Sequence, residues 1–204
     1  VVVGQTAQGL ADFLNQNKEA YIDRDGYLTV VIGFDGRVNS DIFAKDSAEI
    51  LQANGISALL FDRAVPTPVA AFTGRRISSS ATVVVTASHN PPKDNGYKVY
   101  LGGPTGQSQL TSPQDAEIAA LITKTAQRTT FQELEKSTEY KVIGEAEIDA
   151  YLERALELIP MNQIDIERRR NAAITHTALH GVGWFVVKQL MERAGFHLAP
   201  VASQ

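Results

Sequence analysis

"ATVVVTASHNPPKDNGYKVYLG" (81–102) joins an apolar run to a second, alternating run through a polar loop. The first run is β-branched and almost uniformly apolar, as expected of a strand buried on both faces. Asn95-Gly96 is a hairpin-type turn signal, and "GYKVYLGG" (96–103) alternates with a period of two, so the chain is expected to return as an antiparallel strand. Between the runs stand Ser88, His89 and Asn90, then two prolines, Pro91 and Pro92, that restrict the backbone. A strand that ends in a hydroxyl, an imidazole and an amide, and then stiffens, is built to present those groups.

Upstream, strand and helix periods alternate. Ala7, Leu10, Ala11 and Leu14 share one helical face. "YLTVVIGFD" (27–35) is a strand, followed by a helix with Asn39 or Ser40 as N-cap. Ile42, Phe43, Ala48, Ile50 and Leu51 form that helix's apolar side, and Asn54-Gly55 stops it. "ISALLF" (56–61) is a second strand, and "VPTPVAAFTGRRI" (65–77) starts a helix with Thr67 as cap and Pro68 at the first helical position. This order predicts an α/β fold: a mixed, mostly parallel sheet with helices on both faces. Ligands of such sheets lie beyond the carboxyl ends of the strands, so "GFDGRVNS" (33–40) and "SHNPPKDNG" (88–96) are expected on one rim.

Downstream, "TSPQDAEIAALITKT" (111–125) and "GEAEIDAYLERALELI" (144–159) read as helices, the second ended by Pro160, whereas residues 129–144 carry no clear period. The expected organisation is a first domain over 1–160, a linker over 161–170 that includes the solvated run Arg168–Arg170, and the incomplete start of a second α/β domain over 171–204. One strand–helix–strand unit buries too little sheet to stand alone, which predicts self-association through its unpaired edge. There His176 and His197 are expected as packing residues, and Trp184 as core or interface packing. "LHGVG" (179–183) fits a phosphate cradle at a helix N-terminus or, more simply, a tight strand-to-helix turn.

Composition narrows the function. A formal net charge of −4 over 204 residues, 21% of them charged, gives no electrostatic footprint for nucleic acid or an anionic membrane. Without cysteine there are no disulfides or thiolate metal sites, and four scattered histidines have no zinc spacing, so any metal would be bound by oxygen. The start "VVVGQTAQGLADFL" lacks a basic n-region, and no apolar stretch is long enough to span a bilayer, so a cytoplasmic location is expected.

A serine hydroxyl is a weak nucleophile and its alkoxide a poor leaving group, so Ser88 needs a proton-transfer neighbour and a cation. His89 can exchange a proton near neutrality, and Lys98 can neutralise phosphoryl charge. Asn90 and the backbone N–H groups before Pro91 can hold phosphoryl oxygens. Arg37 either offers a bidentate fork to a phosphate or carboxylate, or pairs with Asp35. Adjacent Ser and His side chains diverge, and "TASHN" is not the small-x-Ser-x-Gly elbow of acyl-transfer hydrolases.

"TASHNPPKDNGYKVY" (86–100) resembles the active-site loop of the α-D-phosphohexomutase superfamily, the phosphoglucomutases and phosphomannomutases. "GFDGRVNS" is similar to that family's Gly-aromatic-Asp-x-Arg loop, "VPTPVAAF" to its Pro-Thr-Pro helix entry, and "THTALHGVGW" to the opening of its second domain. The form "PPKDNGYKVYLG" with "HGVG" is most similar to the phosphoglucomutase/phosphopentomutase-like branch, which includes actinobacterial phosphosugar mutases.

The resemblance implies that Ser88 carries a phosphoryl group and passes it to a hexose monophosphate. A bisphosphate would then reorient and return its other phosphate, moving a phosphate between C1 and C6. It further implies that His89 and Lys98 handle protons and charge, that Arg37 and Asn90 bind substrate, and that Mg²⁺ takes the phosphoryl oxygen of Ser88 as one ligand. The family's opening Gly-Thr-x-Gly-x-Arg-Gly loop and its acidic Asp-Gly-Asp-x-Asp-Arg metal loop have no counterpart in the sequence, so the isolated fragment is expected to be inactive. A non-catalytic phosphosugar-binding or interaction module is the alternative.

Overall fold

The computed structural model describes residues 1–160 and 162–201. The chain divides into two compact units, Val1–Ile143 and the residues from Gly144 onward.

The first unit is built on strands β1 (Thr29–Phe34), β2 (Ser57–Phe61), β3 (Ala81–Val85), β4 (Tyr97–Leu101), β5 (Ser108–Gln109) and β6 (Lys141–Ile143). Their order across the sheet is β5-β4-β3-β1-β2-β6. β1 pairs in parallel with β2 and β3, and β2 with β6. β4 returns antiparallel to β3, with Val85 opposite Tyr97, as the alternation in "GYKVYLGG" predicts.

Helices α1 (Val2–Gln16), α2 (Lys18–Tyr21), α3 (Ser40–Ala53), α4 (Thr67–Ile77) and α5 (Gln114–Arg128) accompany the sheet. Leu10, Phe13 and Leu14 of α1 and Ala44, Ala48 and Leu51 of α3 bury one sheet face with Val30, Ile32, Leu60, Val83 and Val85. α4 covers the other face, where Ala70 lies against Gly33 and Gly74 against Thr82. Every side chain of β3 is buried, which is why its sequence reads as an unbroken apolar run rather than an alternation.

Connection directions place the functional rim. From β1 the chain crosses through α3 to β2 on one side, whereas from β3 it leaves to β4 on the other. A crevice therefore opens beyond the carboxyl ends of β1 and β3, the position at which open α/β sheets bind ligands.

Several local expectations are corrected. Ile42 is 53% exposed and does not join the apolar side of α3. Pro66 is the N-cap of α4, Thr67 its first residue and Pro68 its second. The stretch over 129–144 contains a 3₁₀ turn at Phe131–Glu133 and the edge strand β6. Three residues that pair only with β2 give too short a pattern to be read from sequence.

The second unit contains α6 (Glu145–Leu156), α7 (Gln163–Arg170), β7 (Ile174–His176), α8 (Trp184–Arg193) and β8 (Leu198–Pro200), with β7 and β8 parallel. The division falls at 143/144, ahead of α6, rather than at 160/161. α6 packs on α8, and Arg193 bonds Asp149 at 2.5 Å. The segment expected as a linker is helical over 163–170. Asn162 caps it by accepting from Asp165 N at 3.0 Å, and Arg168–Arg170 form its last turn, where cations suit the helix dipole. His176 stacks on Trp184 with ring centroids 5.4 Å apart, as packing residues should, whereas His197 is exposed. Leu179 adopts φ 52 in a tight strand-to-helix turn, and a small cavity of about 200 Å³ lies between that turn, His176 and Trp184. Among the described residues no helix is long and apolar enough to cross a membrane.

Candidate active site

The parallel register of β1 and β3, with Phe34 opposite Val85, brings the loops over 35–40 and 86–96 side by side. The first knot is Asp35 N–H donating to Val85 O at 3.2 Å. The second is Thr86 N–H donating to Gly96 O at 3.1 Å, which closes the base of the longer loop. A Cβ on Gly96 would stand 2.7 Å from Thr86 O, so only glycine allows that closure.

Ser88, His89 and Asn90 are exposed at the tip of the structured part of this loop. Ser88 has φ 58, the left-handed region that an L residue enters only when its surroundings hold it there. Its N–H donates to Thr86 Oγ1 at 3.0 Å, and Asn90 N–H donates to Ala87 O at 3.1 Å. Among the described residues the Ser88 hydroxyl, the His89 ring and the Lys98 ammonium make no hydrogen bond or ion pair. Lys98 is half-buried on β4 opposite Val84, on the sheet face that α4 covers.

Arg37, expected either to bind substrate or to pair with Asp35, is held between the two loops. Its side chain is only 10% exposed, and Nε donates to Asp35 Oδ2 at 3.1 Å. Nη1 donates to Pro91 O at 2.6 Å and Asp94 O at 3.2 Å. Nη2 donates to Ser88 O at 2.5 Å and Asn90 O at 2.8 Å. A guanidinium has five N–H donors and all are committed here, so no fork remains for a phosphate. The ion pair with Asp35 is formed, and the remaining donors go to the neighbouring loop.

A second bracket joins the loops beside the first. The buried Ser40 hydroxyl lies 2.8 Å from Asp35 Oδ1 and 2.9 Å from Asn95 Oδ1 and gives its single proton to one of them. Asn95 Nδ2 donates to Val38 O at 2.7 Å. Thr86, Ser40 and Asn95 were not among the expected site residues. Ser40 read as a helix cap and Asn95 as a turn residue, and nothing local distinguishes those roles from a tie between loops distant in sequence.

Residues 2–129 match the family described as phosphoglucomutase/phosphomannomutase, alpha/beta/alpha domain I. The chain belongs to the phosphoglucomutase/phosphomannomutase family. It is 43% identical over 196 residues to a probable phosphomannomutase of Haemophilus influenzae, covering 96% of this chain and 37% of that protein. It is 31% identical to a probable phosphoribomutase of Schizosaccharomyces pombe, over 90% of this chain and 30% of that one. The chain thus spans about a third of the length of these curated relatives. The crystal structure of a putative phosphomannomutase from Thermus thermophilus shares the fold, with a TM-score of 0.78 at 24% identity over 98% of this chain and 41% of that one. Within this family fold the two bracketed loops occupy the rim of domain I.

Proposed function

We propose that the chain carries the phosphoryl-bearing domain of a phosphosugar mutase, with Ser88 as the residue that accepts and donates the group. The unit Val1–Ile143 is that domain, and the unit from Gly144 begins the next. The observation that supports this most is the exposed Ser88, with no partner for its hydroxyl, on a braced loop at the sheet's switch point. The matched relatives, named for phosphomannomutase and phosphoribomutase activities, point the same way.

In the proposed reaction the Oγ–P bond of phosphorylated Ser88 breaks as a P–O bond forms to a free hydroxyl of a hexose monophosphate. The sugar hydroxyl gives up its proton, and the departing Oγ takes one up. His89 exchanges protons near neutrality, Lys98 balances phosphoryl charge, and Asn90 holds a phosphoryl oxygen. The bisphosphate reorients and returns its other phosphate to Ser88, so the net change moves a phosphate between C1 and C6.

A phosphoserine carries a charge of about −2, which Mg²⁺ would offset when bound to its oxygen. Among the described residues no group of three or more His, Cys, Asp or Glu could hold a metal, so the residues here do not form a magnesium site by themselves.

The test is made on the protein recovered from its own host. Its Ser88 peptide is expected to carry a phosphoryl adduct by mass spectrometry, and Ser88→Ala to lower sugar-phosphate interconversion by about 10³-fold or more. An unmodified Ser88 under turnover, or an undiminished rate in Ser88→Ala, overturns the proposal.

A further inference from the structure

We propose that Arg37 is a positioning residue for Ser88: anchored on Asp35, its guanidinium gathers the carbonyls of Ser88, Asn90, Pro91 and Asp94 and so fixes the left-handed backbone that presents the hydroxyl. This deepens the proposed function and rests on it for the role of Ser88.

The geometry carries the assignment in three ways. First, the five donors meet five acceptors at 2.5–3.2 Å, four of them backbone carbonyls of one short loop. Carbonyls crowded around one point repel each other unless a multidentate cation lies between them, and guanidinium is the side chain with enough directed donors. Second, Asp35 supplies the counter-charge and is itself tied to the Arg37 backbone N–H at 3.1 Å and to the Ser40 hydroxyl, so the arginine cannot swing away.

Third, a trans peptide carries its C=O and N–H on opposite sides. With the Ser88 carbonyl turned inward to Arg37, the His89 N–H is turned outward, and it makes no backbone hydrogen bond among the described residues. Arg37 therefore both aims the hydroxyl and frees an adjacent amide for a phosphoryl oxygen.

The loop measurements use the 204-residue chain, and phosphoryl transfer is measured on the protein recovered from its own host. Backbone resonances of Ser88 report the left-handed conformation, and hydrogen exchange at the Asn90 and Asp94 amides reports loop closure. Arg37→Ala and Arg37→Lys are both expected to lose the Ser88 signature and to speed exchange at these amides about tenfold or more. Strand amides of β1 and β3 keep their protection in both, which shows that the variants fold.

Millimolar guanidinium ion is expected to restore the Ser88 signature in Arg37→Ala, which a general loss of stability would not allow. Inorganic phosphate shifts the His89 amide resonance in the wild type and not in either variant. In the protein recovered from its own host, phosphoryl transfer to Ser88 from a hexose bisphosphate, followed by intact mass, falls about 100-fold in both variants.

Unchanged Ser88 resonances and loop exchange in the variants overturn the clamp, and so does undiminished phosphoryl transfer through a disordered loop. Wild-type protein from its own host that has the ordered loop but takes up no phosphoryl group overturns the proposed function instead. The loop measurements then still decide whether Arg37 sets the Ser88 backbone.

Discussion

Ser88 at φ 58 places its Cβ close to its own carbonyl oxygen, a cost of about 1–2 kcal/mol that glycine would avoid. Ser88→Gly is therefore expected to be more stable than Ser88→Ala by about 1 kcal/mol in chemical denaturation, although both lack the hydroxyl. Equal stabilities would mean that the backbone there is not held left-handed. Ser88, His89, Asn90 and Lys98 can be picked out as candidates from the sequence because they stand in one continuous string. Arg37 was also legible as a rim residue, but its partners were not. Four of its five acceptors are backbone carbonyls more than fifty positions away, and a carbonyl leaves no mark in a sequence.

Among the elements, α4 lies so close to the sheet that a Cβ on Gly74 would stand 1.8 Å from Thr82 Oγ1 and 3.0 Å from Ser79 Oγ. Gly74→Ala is expected to lower stability by about 1–3 kcal/mol through this overpacking, despite alanine's better helix propensity. A rise in thermal midpoint would contradict the close approach. The entry to β1 is fixed by Asp23, which accepts from Asp25 N and Tyr27 N at 2.9 Å each and from Thr29 Oγ1 at 2.7 Å. Partial burial raises its pKa, but these hydrogen bonds outweigh burial and leave it below the ordinary 3.8. The charged form is thus favoured in the folded state. Its stabilisation is complete above pH 3.8 and is lost as pH falls through the lower folded value. Asp23→Asn should cost about 1–2 kcal/mol near neutrality, with a gap to wild type that narrows below pH 3.8 in urea titrations. Periodicity revealed α1, α3, α4 and the alternating β4, and continuous apolar runs between turn signals revealed β1, β2 and β3. It failed for β5 and β6, whose pairing gives them their conformation, and for α7, which has caps and charges at its ends but no buried face.

For the whole chain, the two units differ in how much apolar surface they bury. The first has a contiguous core on one sheet face and α4 on the other, whereas the buried apolar residues described in the second are Ile148, Leu152, Val186 and Ala194. Hydrogen exchange in mild denaturant is expected to release β7 and β8 before β1 and β3. Simultaneous release would show that the chain unfolds as one cooperative body. The alternation from α1 to β4, the mostly parallel sheet and the loop that bears Ser88 were determined by the sequence alone, because each rests on local pattern or on one unbroken string. Tertiary structure alone decided that α6 sides with the second unit and that Arg37 is an internal brace. It also decided that Ser40 and Asn95 tie two loops together. Those facts depend on which distant backbone atoms fill a donor's reach, and that is set only once the strands have paired.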